Sequence, residues 1–343
     1  MKKYFASLFA RHCIRKSDKA VNDPITAQER LFRRLLETAK DTAFGREYGF
    51  GSIKTYGEFR SKVPLHTYEQ LEPYVRRIAA GARDVLWPGR PAYFAKTSGT
   101  TSGTKYIPLT EEGLACQARA TRDMLLRYIL SSGNIGFVGG KMIFLQGSPV
   151  LEDKNGIKIG RLSGIVAHCV PFYLRSNRKP SYRTNCLEDW EAKVEAVVDE
   201  TVGADMTLIS GIPSWLQMYF ERLIARSGKK VGNLFPNFSV LVTGGVNYEP
   251  YRARFEELIG RSVDLLETYP ASEGFIAATD SVATDGSLLL NVDGGLFYEF
   301  IPADRYGAEN APRLCLSEVE TGVNYAVVLS TNSGLWAYSI GDT

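Results

Sequence analysis

The stretch Tyr93-Phe-Ala-Lys-Thr-Ser-Gly-Thr-Thr-Ser-Gly-Thr-Lys-Tyr-Ile-Pro108 puts nine residues drawn from Ser, Thr, Gly and Lys directly behind an apolar run. Small residues let the backbone approach an anion closely, N–H and hydroxyl donors can converge on its oxygens, and Lys105 adds a positive charge. The chemistry is that of a polyphosphate cradle. A flexible surface loop has the same composition, but it leaves unexplained the position of this one between a strand and a capped helix. Two other motifs fail on the same residues. A nucleotide-hydrolase P-loop needs G-x-x-x-x-G-K-[ST], whereas Gly99 to Tyr106 is one spacer short and has Tyr106 after the lysine. Ser102-Gly-Thr-Lys105 satisfies S-x-x-K, but Lys96-Thr-Ser98 stands on the wrong side of it for the penicillin-binding pattern, and no S-D-N follows.

A second group, Glu267-Thr-Tyr-Pro-Ala-Ser-Glu-Gly274, follows the apolar run Val263 to Leu266, at the place where ligands of sheet proteins bind. Tyr269 could stack on a base, Ser272 bond a phosphate oxygen and Glu273 hold Mg²⁺. A third, Thr243-Gly-Gly-Val246, also follows a strand-like run and by itself is an ordinary turn. There is no G-x-S-x-G and no H-E-x-x-H, and with three histidines in 343 residues the usual hydrolase sites are missing.

These groups need elements to hold them. Ala27 to Lys40 carries Leu31, Phe32, Leu35, Leu36 and Ala39 at helical spacing, and the first 90 residues read as helices. Short apolar runs at Tyr93 to Lys96, Met142 to Leu145, Met206 to Ile209, Ser239 to Thr243 and Val263 to Leu266 alternate with helical segments, which argues for parallel β-α units between about 91 and 275. Thr110 caps one such helix, Glu111 and Glu112 suit its positive end, and Leu114, Ala118, Thr121, Leu125 and Ile129 share a face. From about 276 to 343, the runs Leu288 to Val292, Phe297 to Ile301, Arg313 to Leu316, Tyr325 to Ser330 and Leu335 to Ile340 are separated by Gly, Asn, Asp and Pro and suggest an antiparallel or barrel-like part.

Composition bounds the partners. At 44% hydrophobic and a net charge of +3 the chain is an ordinary globular protein and no generic nucleic-acid binder. Residues 1 to 40 hold ten Lys/Arg against four Asp/Glu, so the remainder is net negative. The apolar run Tyr4 to Ala10 has basic residues directly behind it and is too short to span a membrane, which leaves a surface helix or an amphipathic membrane-contact helix. Five scattered cysteines without C-x-x-C support neither a disulfide scaffold nor a zinc site and point to a cytoplasmic protein. His168 and Cys169, read as neighbours on a strand, face opposite ways and are assigned to the core.

Together with Tyr338-Ser-Ile-Gly-Asp342, these groups in this order resemble the adenylate-forming superfamily of acyl-CoA synthetases, luciferases and adenylation domains. Within it, Tyr269 to Glu273 and Gly294-Gly-Leu-Phe-Tyr-Glu-Phe-Ile-Pro302 are most similar to the auxin-responsive acyl-acid amido synthetases, the Gretchen Hagen family. The resemblance implies an α/β fold: a large N-terminal domain of β-sheets flanked by helices, plus a small β-barrel-like subdomain. It also implies that the family's small C-terminal domain is absent from residues 1–343. By it, Ser98, Gly99, Thr100, Thr101, Ser102 and Lys105 would bind the β- and γ-phosphates of ATP; Gly244, Gly245, Val246 and Tyr269 would sandwich adenine. Ser272 would meet the α-phosphate, Glu273 would hold Mg²⁺ and Asp342 the ribose hydroxyls, with Lys105 and Glu273 as the catalytic pair. Two positions depart from the pattern: Pro270-Ala271 replaces Ala-Ser, and Ser339 stands where Arg is usual. The implied activity is ATP- and Mg²⁺-dependent activation of a small carboxylic acid as an acyl-adenylate, followed by amide formation with an amino acid. Acyl-CoA ligation and a non-catalytic nucleotide-binding module are the alternatives. Trp215, Met218 and Tyr219, in a helix starting near Pro213, would line an acyl pocket or serve as core, and neither the acid, the amine nor the oligomeric state is legible.

Overall fold

The computed structural model describes residues 2–98, 103–169, 175–281 and 286–341. Helix α1 (Lys2–Asn22) lies against α6 (Glu111–Ser132), with Ala10 and Ile14 buried beside Met124 and Ile129 and an Asp18–Arg127 ion pair at 2.6 Å. Helix α2 (Pro24–Ala39) begins as its sequence dictates: Asp23 accepts a hydrogen bond from the Thr26 N–H, and Pro24 occupies the first turn, where no amide donor is needed. The stripe from Leu31 to Ala39 is buried. Short helices α3 (Ala43–Glu47), α4 (Tyr56–Lys62) and α5 (Tyr68–Ala79) follow, and a reciprocal Thr55–Glu58 capping box starts α4.

Strands β1 (Tyr93–Ser98) and β2 (Thr104–Leu109) form an antiparallel hairpin, with Thr97 opposite Lys105. The two strands thus flank the Ser/Thr/Gly stretch. Strand β2 stands between it and α6, where the sequence had suggested a direct passage from loop to helix. The alternation of Lys105, Ile107 and Leu109 was overshadowed by the loop composition. After α6 come β3 (Lys141–Phe144), β4 (Glu152–Lys154), β5 (Ile157–Gly160), β6 (Arg178–Lys179), β7 (Met206–Gly211), β8 (Val240–Gly244), β9 (Asp264–Ala271), β10 (Gly274–Ala278) and β11 (Leu289–Leu290). One sheet runs β2-β1-β5-β4; the largest runs β11-β10-β9-β8-β7-β3-β6, parallel from β9 to β6 and antiparallel at β10 and β11.

The expected parallel β-α core is thus β3, β7, β8 and β9. The run at Leu288 to Val292 joins this sheet at its edge and is not part of the C-terminal sheet. That last sheet is antiparallel, in the linear order β13-β12-β14-β15: β12 (Leu296–Pro302), β13 (Leu314–Cys315), β14 (Tyr325–Thr331) and β15 (Tyr338–Ser339). Its inner face shares one core with the N-terminal helices, Phe297, Val328 and Trp336 packing with Phe32, Phe44 and Phe59. Among the described residues no helix is long and apolar enough to cross a membrane.

One expectation fails here. His168 and Cys169 end the helix α7 (Leu162–His168) and are both exposed, not on a strand and not in the core. Arg161, Leu162 and Ser163 start a helical turn in which Gly164 packs on the Ser148 carbonyl, where a Cβ would come within 2.4 Å. That close approach sets the backbone path, and an apolar run does not reveal it.

Candidate active site

At the carboxyl ends of β3, β7, β8 and β9 the chain leaves a cavity of about 700 Å³. Each strand hands over to a turn on its rim: Gln146 after β3, Ile212 after β7, Gly245 after β8 and Ser272 after β9. Thr97 and Thr104 of the β1-β2 hairpin close one side and α6 another. The face of α6 that carries Leu114, Ala118, Thr121, Leu125 and Ile129 is divided. Leu114 and Ile129 are buried, whereas Ala118 and Thr121 are exposed, and Leu114, Ala118, Thr121 and Leu125 line the cavity. Among the described residues no Asp or Glu lines the cavity, and the charged lining residues are Lys96 and Arg161.

Gly244 faces Thr268 on the next strand, where a Cβ would stand 2.3 Å from its Oγ1 and 2.8 Å from its carbonyl oxygen; Gly245 has φ of +85°. Two glycines are needed because the first has no room and the second turns through a left-handed conformation. Thr268 Oγ1 donates to the Thr243 carbonyl at 2.9 Å and ties the two strand ends together. Val246 points outward and is half exposed, away from the cavity lining. Ser272 and Glu273 form the two-residue turn between β9 and β10, held by the Ala271–Gly274 pair. Gly274 must be glycine, since a Cβ would meet Leu296 at 2.5 Å. The sequence ended β9 at Leu266; the strand continues to Ala271, so Tyr269 lies within it, half-buried and packed against a small cluster with Ile276, Tyr298 and Ile340.

Lys105 and Glu273 both lie near the Tyr68 and Tyr338 rings, and each is next in sequence to a cavity-lining residue, Thr104 and Ser272. The Lys105 ammonium lies over the Tyr68 ring, 5.7 Å from its centroid. Burial first, then the charges of Glu273 and Glu69, push the Tyr338 phenol well above its ordinary value, with Tyr68 contributing as well. Tyr338 therefore reports both groups: the carboxylate at the β9 turn and the aromatic ring under Lys105. The tyrosine itself is fixed by His66, whose N–H donates to Ala337 O at 2.8 Å and whose carbonyl accepts from Ser339 N at 2.9 Å. Ser339, at the position where Arg is usual, pairs its hydroxyl with Tyr306 at 2.7 Å.

Of the residues singled out by sequence, Gly244, Gly245 and Ser272 line the cavity, while Lys105 lies over Tyr68, the Glu273 charge acts on Tyr338, and Tyr269 packs in one cluster with Ile340. Gly99, Thr100, Thr101, Ser102 and Asp342 lie outside the described residues, as does the side chain of Ser98. Trp215 lines the cavity and packs on Trp190 with centroids 4.3 Å apart, Met218 receives the Trp190 indole N–H at 3.1 Å, and Tyr219 is core, bonded to Thr201 at 2.7 Å. The pocket and core readings of that helix thus both hold, on different faces. Cys169 also lines the cavity, but packing pushes its thiol up, opposite to the shift of an activated nucleophile. Sequence reading missed Gln146 and Arg161. Neither belongs to a motif, and only the meeting of β3 with α7 brings them together.

A single carboxylate at a turn suits Mg²⁺, which keeps phosphate and water oxygens for most of its shell; among the described residues no group of three or more His, Cys, Asp or Glu could hold a metal on its own.

Known proteins match this chain in sequence and shape. Residues 13–182 match the GH3 family N-terminal domain and residues 289–343 the GH3 family central domain. A jasmonoyl–L-amino acid synthetase, JAR4 of Nicotiana attenuata, is 23% identical over 92% of this chain and 65% of its own length; JAR6 of the same plant is 22% identical over 96% and 68%. The chain therefore spans about two thirds of the length of these relatives. Among solved structures, GH3.15 acyl acid amido synthetase superposes with a TM-score of 0.77 at 18% identity, covering 96% of this chain and 67% of that one. A 2-hydroxyisobutyryl-CoA ligase in complex with 2-HIB-AMP and CoA follows at 0.65 and 14%, covering 92% and 62%.

Proposed function

Because the chain belongs to the GH3 family of acyl-acid amido synthetases, within the adenylate-forming superfamily, we propose that it activates a carboxylic acid with ATP and supports transfer of the acyl group to an amino acid. The observation that carries this reading is the cavity at the sheet's carboxyl edge, rimmed by Gly244, Gly245 and Ser272 and lined by Lys96 and Arg161, with no carboxylate among the described lining residues. Such a lining accepts two anionic reactants, a carboxylate and a triphosphate, that repel one another in water.

In the proposed first step a carboxylate oxygen attacks the α-phosphorus, the bond to the bridging oxygen breaks, and pyrophosphate leaves with the electron pair. Lys105, with Ser98 to Ser102, would hold the β- and γ-phosphates. Ser272 would meet the α-phosphate, Gly244, Gly245, Val246 and Tyr269 the adenine, and Asp342 the ribose. Mg²⁺, held by Glu273 and phosphate oxygens, would neutralise charge on the leaving group. In the second step the amine attacks the acyl carbon, AMP leaves and the amine loses a proton. No covalent enzyme intermediate is required, consistent with the unactivated thiol of Cys169. A cytoplasmic setting is supported by five cysteines that are all free thiols.

Isotope exchange between pyrophosphate and ATP over a panel of carboxylic acids tests the first step. Lys105→Ala and Glu273→Ala should each lower exchange by about 10²–10³-fold, the loss seen when one preorganised charge-stabilising group is removed. Exchange no greater than in these variants, for every acid, would sink the adenylation reading. Amide against thioester products, with amino acids and coenzyme A offered together, decides the acceptor.

A further inference from the structure

Gln146, just beyond β3, is only 8% exposed, and among the described residues its side-chain Nε2 has no hydrogen-bond partner. The same residue lines the cavity. A buried amide left unpaired is destabilising, so its retention calls for a partner, and none of the described residues supplies one. Its backbone is held firmly in place. The carbonyl of Gln146 accepts from the Lys193 ammonium at 2.9 Å, and Lys193, 2% exposed, also donates to Asn185 O at 2.7 Å. Next to it, a Cβ on Gly147 would stand 3.0 Å from Cδ of Arg161, so the arginine stem crosses the following residue; among the described residues no hydrogen bond or ion pair engages that guanidinium. Leu145, Leu162, Val166 and Trp215 complete an apolar wall around this polar end.

The sheet order gives the place of Gln146 relative to the reacting end. Ser272 follows β9 and Gln146 follows β3, with β8 and β7 between them. Three strand spacings separate the two, about 14 Å across the sheet. A substrate with its carboxylate near Ser272 and Gly244 would extend past the ends of β8 and β7 and end against Gln146.

We propose that Gln146 is a specificity-determining residue: its amide binds an oxygen function, a hydroxyl or carbonyl, at the end of the acyl substrate remote from the carboxylate. The acid is then apolar or aromatic in its middle and polar at its tail. An amide offers both a donor and an acceptor, so a hydroxyl can pair with either end. Discrimination follows from the buried group: an acid without the distal oxygen leaves the amide unpaired, whereas one with it removes that deficit.

This inference rests on the adenylation reading for its kinetic readout, so equilibrium binding is measured beside it. The probes are 3-phenylpropanoic acid against 3-(4-hydroxyphenyl)propanoic acid, and octanoic acid against 8-hydroxyoctanoic acid, each by pyrophosphate exchange and by calorimetric titration. The oxygenated member of at least one pair should exceed its parent about tenfold in kcat/KM and in affinity. Gln146→Met, close in volume, should bring that ratio near one, and Gln146→Glu, which keeps an acceptor for the hydroxyl, should restore most of it. Thermal midpoints of both variants show whether the fold is intact. A ratio of one in the wild type, or a ratio unchanged in Gln146→Met, overturns the proposal and assigns the amide to an internal water. Binding preference without any exchange would uphold it while removing the adenylation reading; exchange without preference would do the reverse.

Discussion

Two regions of this molecule bury polar groups and treat them differently. Where the N-terminal helices meet the C-terminal sheet, polar side chains are closed on protein partners. Gln28 donates from its amide to Val292 O and Leu296 O at 2.7 and 2.9 Å and accepts from Tyr298 N at 3.0 Å. Glu299, fully buried, takes the Arg313 guanidinium on Oε1 at 2.6 and 2.9 Å with the Tyr56 hydroxyl at 3.0 Å, and Arg313 also reaches Val63 O at 2.6 Å. Closure has its own cost: Oε2 of Glu299 has no partner, and burial pushes the carboxyl up against the pull of Arg313. At the carboxyl edge of the large sheet, by contrast, Gln146 and Arg161 border a cavity in which, among the described residues, no carboxylate lines the wall and neither the Gln146 Nε2 nor the Arg161 guanidinium is paired. The first region is a joint, and its polar groups fix register. The second is left open, and a ligand would complete it.

The contrast can be broken most forcefully at the joint. Arg313→Met leaves Glu299 buried without a counter-ion and should cost about 3–5 kcal/mol in denaturant unfolding. Glu299→Gln added to it should recover a large part, because the stranded charge is then gone. If the single variant unfolds within about 1 kcal/mol of wild type, the joint is not closed in the sense argued here.

A somewhat smaller effect is expected from His66. Its Nδ1–H donates to the Trp336 carbonyl at 3.0 Å and its Nε2 faces the Tyr48 hydroxyl at 3.4 Å, so it is held neutral, and burial lowers its pKa from 6.5 to about 4. The unfolded chain takes up the proton at higher pH than the native one. Stability from this group is therefore whole above pH 6.5 and is lost as the pH falls towards 4, amounting to about 3 kcal/mol at most. Unfolding free energies between pH 7 and 4 should show this slope, and His66→Gln should remove it.

The smallest stability change belongs to the open region. Arg161→Met should move the unfolding free energy by no more than about 0.5 kcal/mol, as for an exposed side chain without partners. It should nevertheless raise the KM for an acid in pyrophosphate exchange roughly tenfold, about 1.4 kcal/mol of binding. A large loss of stability with unchanged KM would make Arg161 part of the joint and erase the distinction.

Much of the scaffold was legible because local rules suffice for it. Thr110 caps α6, accepting the Gly113 N–H at 3.0 Å; Asp23 and Pro24 start α2; and apolar runs mark β3, β7, β8 and β9. The phrase Gly294 to Pro302 was legible as a family mark, but its meaning was not: Glu299 within it is the buried partner of Arg313, a structural role. Cys169 misled because an apolar run fits a helix turn as well as a strand.

What the sequence determined by itself is the chemistry of short segments: donors and a cation at Thr97 to Lys105, two glycines after β8, a hydroxyl and a carboxylate at the β9 turn. Those follow from residue type and local backbone need, which neighbours in the chain settle. Only the tertiary structure decided which segments meet. It set Gln146 three strands from Ser272, placed Lys105 over Tyr68 and buried Glu299 against Arg313. The physical reason is that such contacts are fixed by sheet order and by packing between distant segments, and no local propensity encodes either.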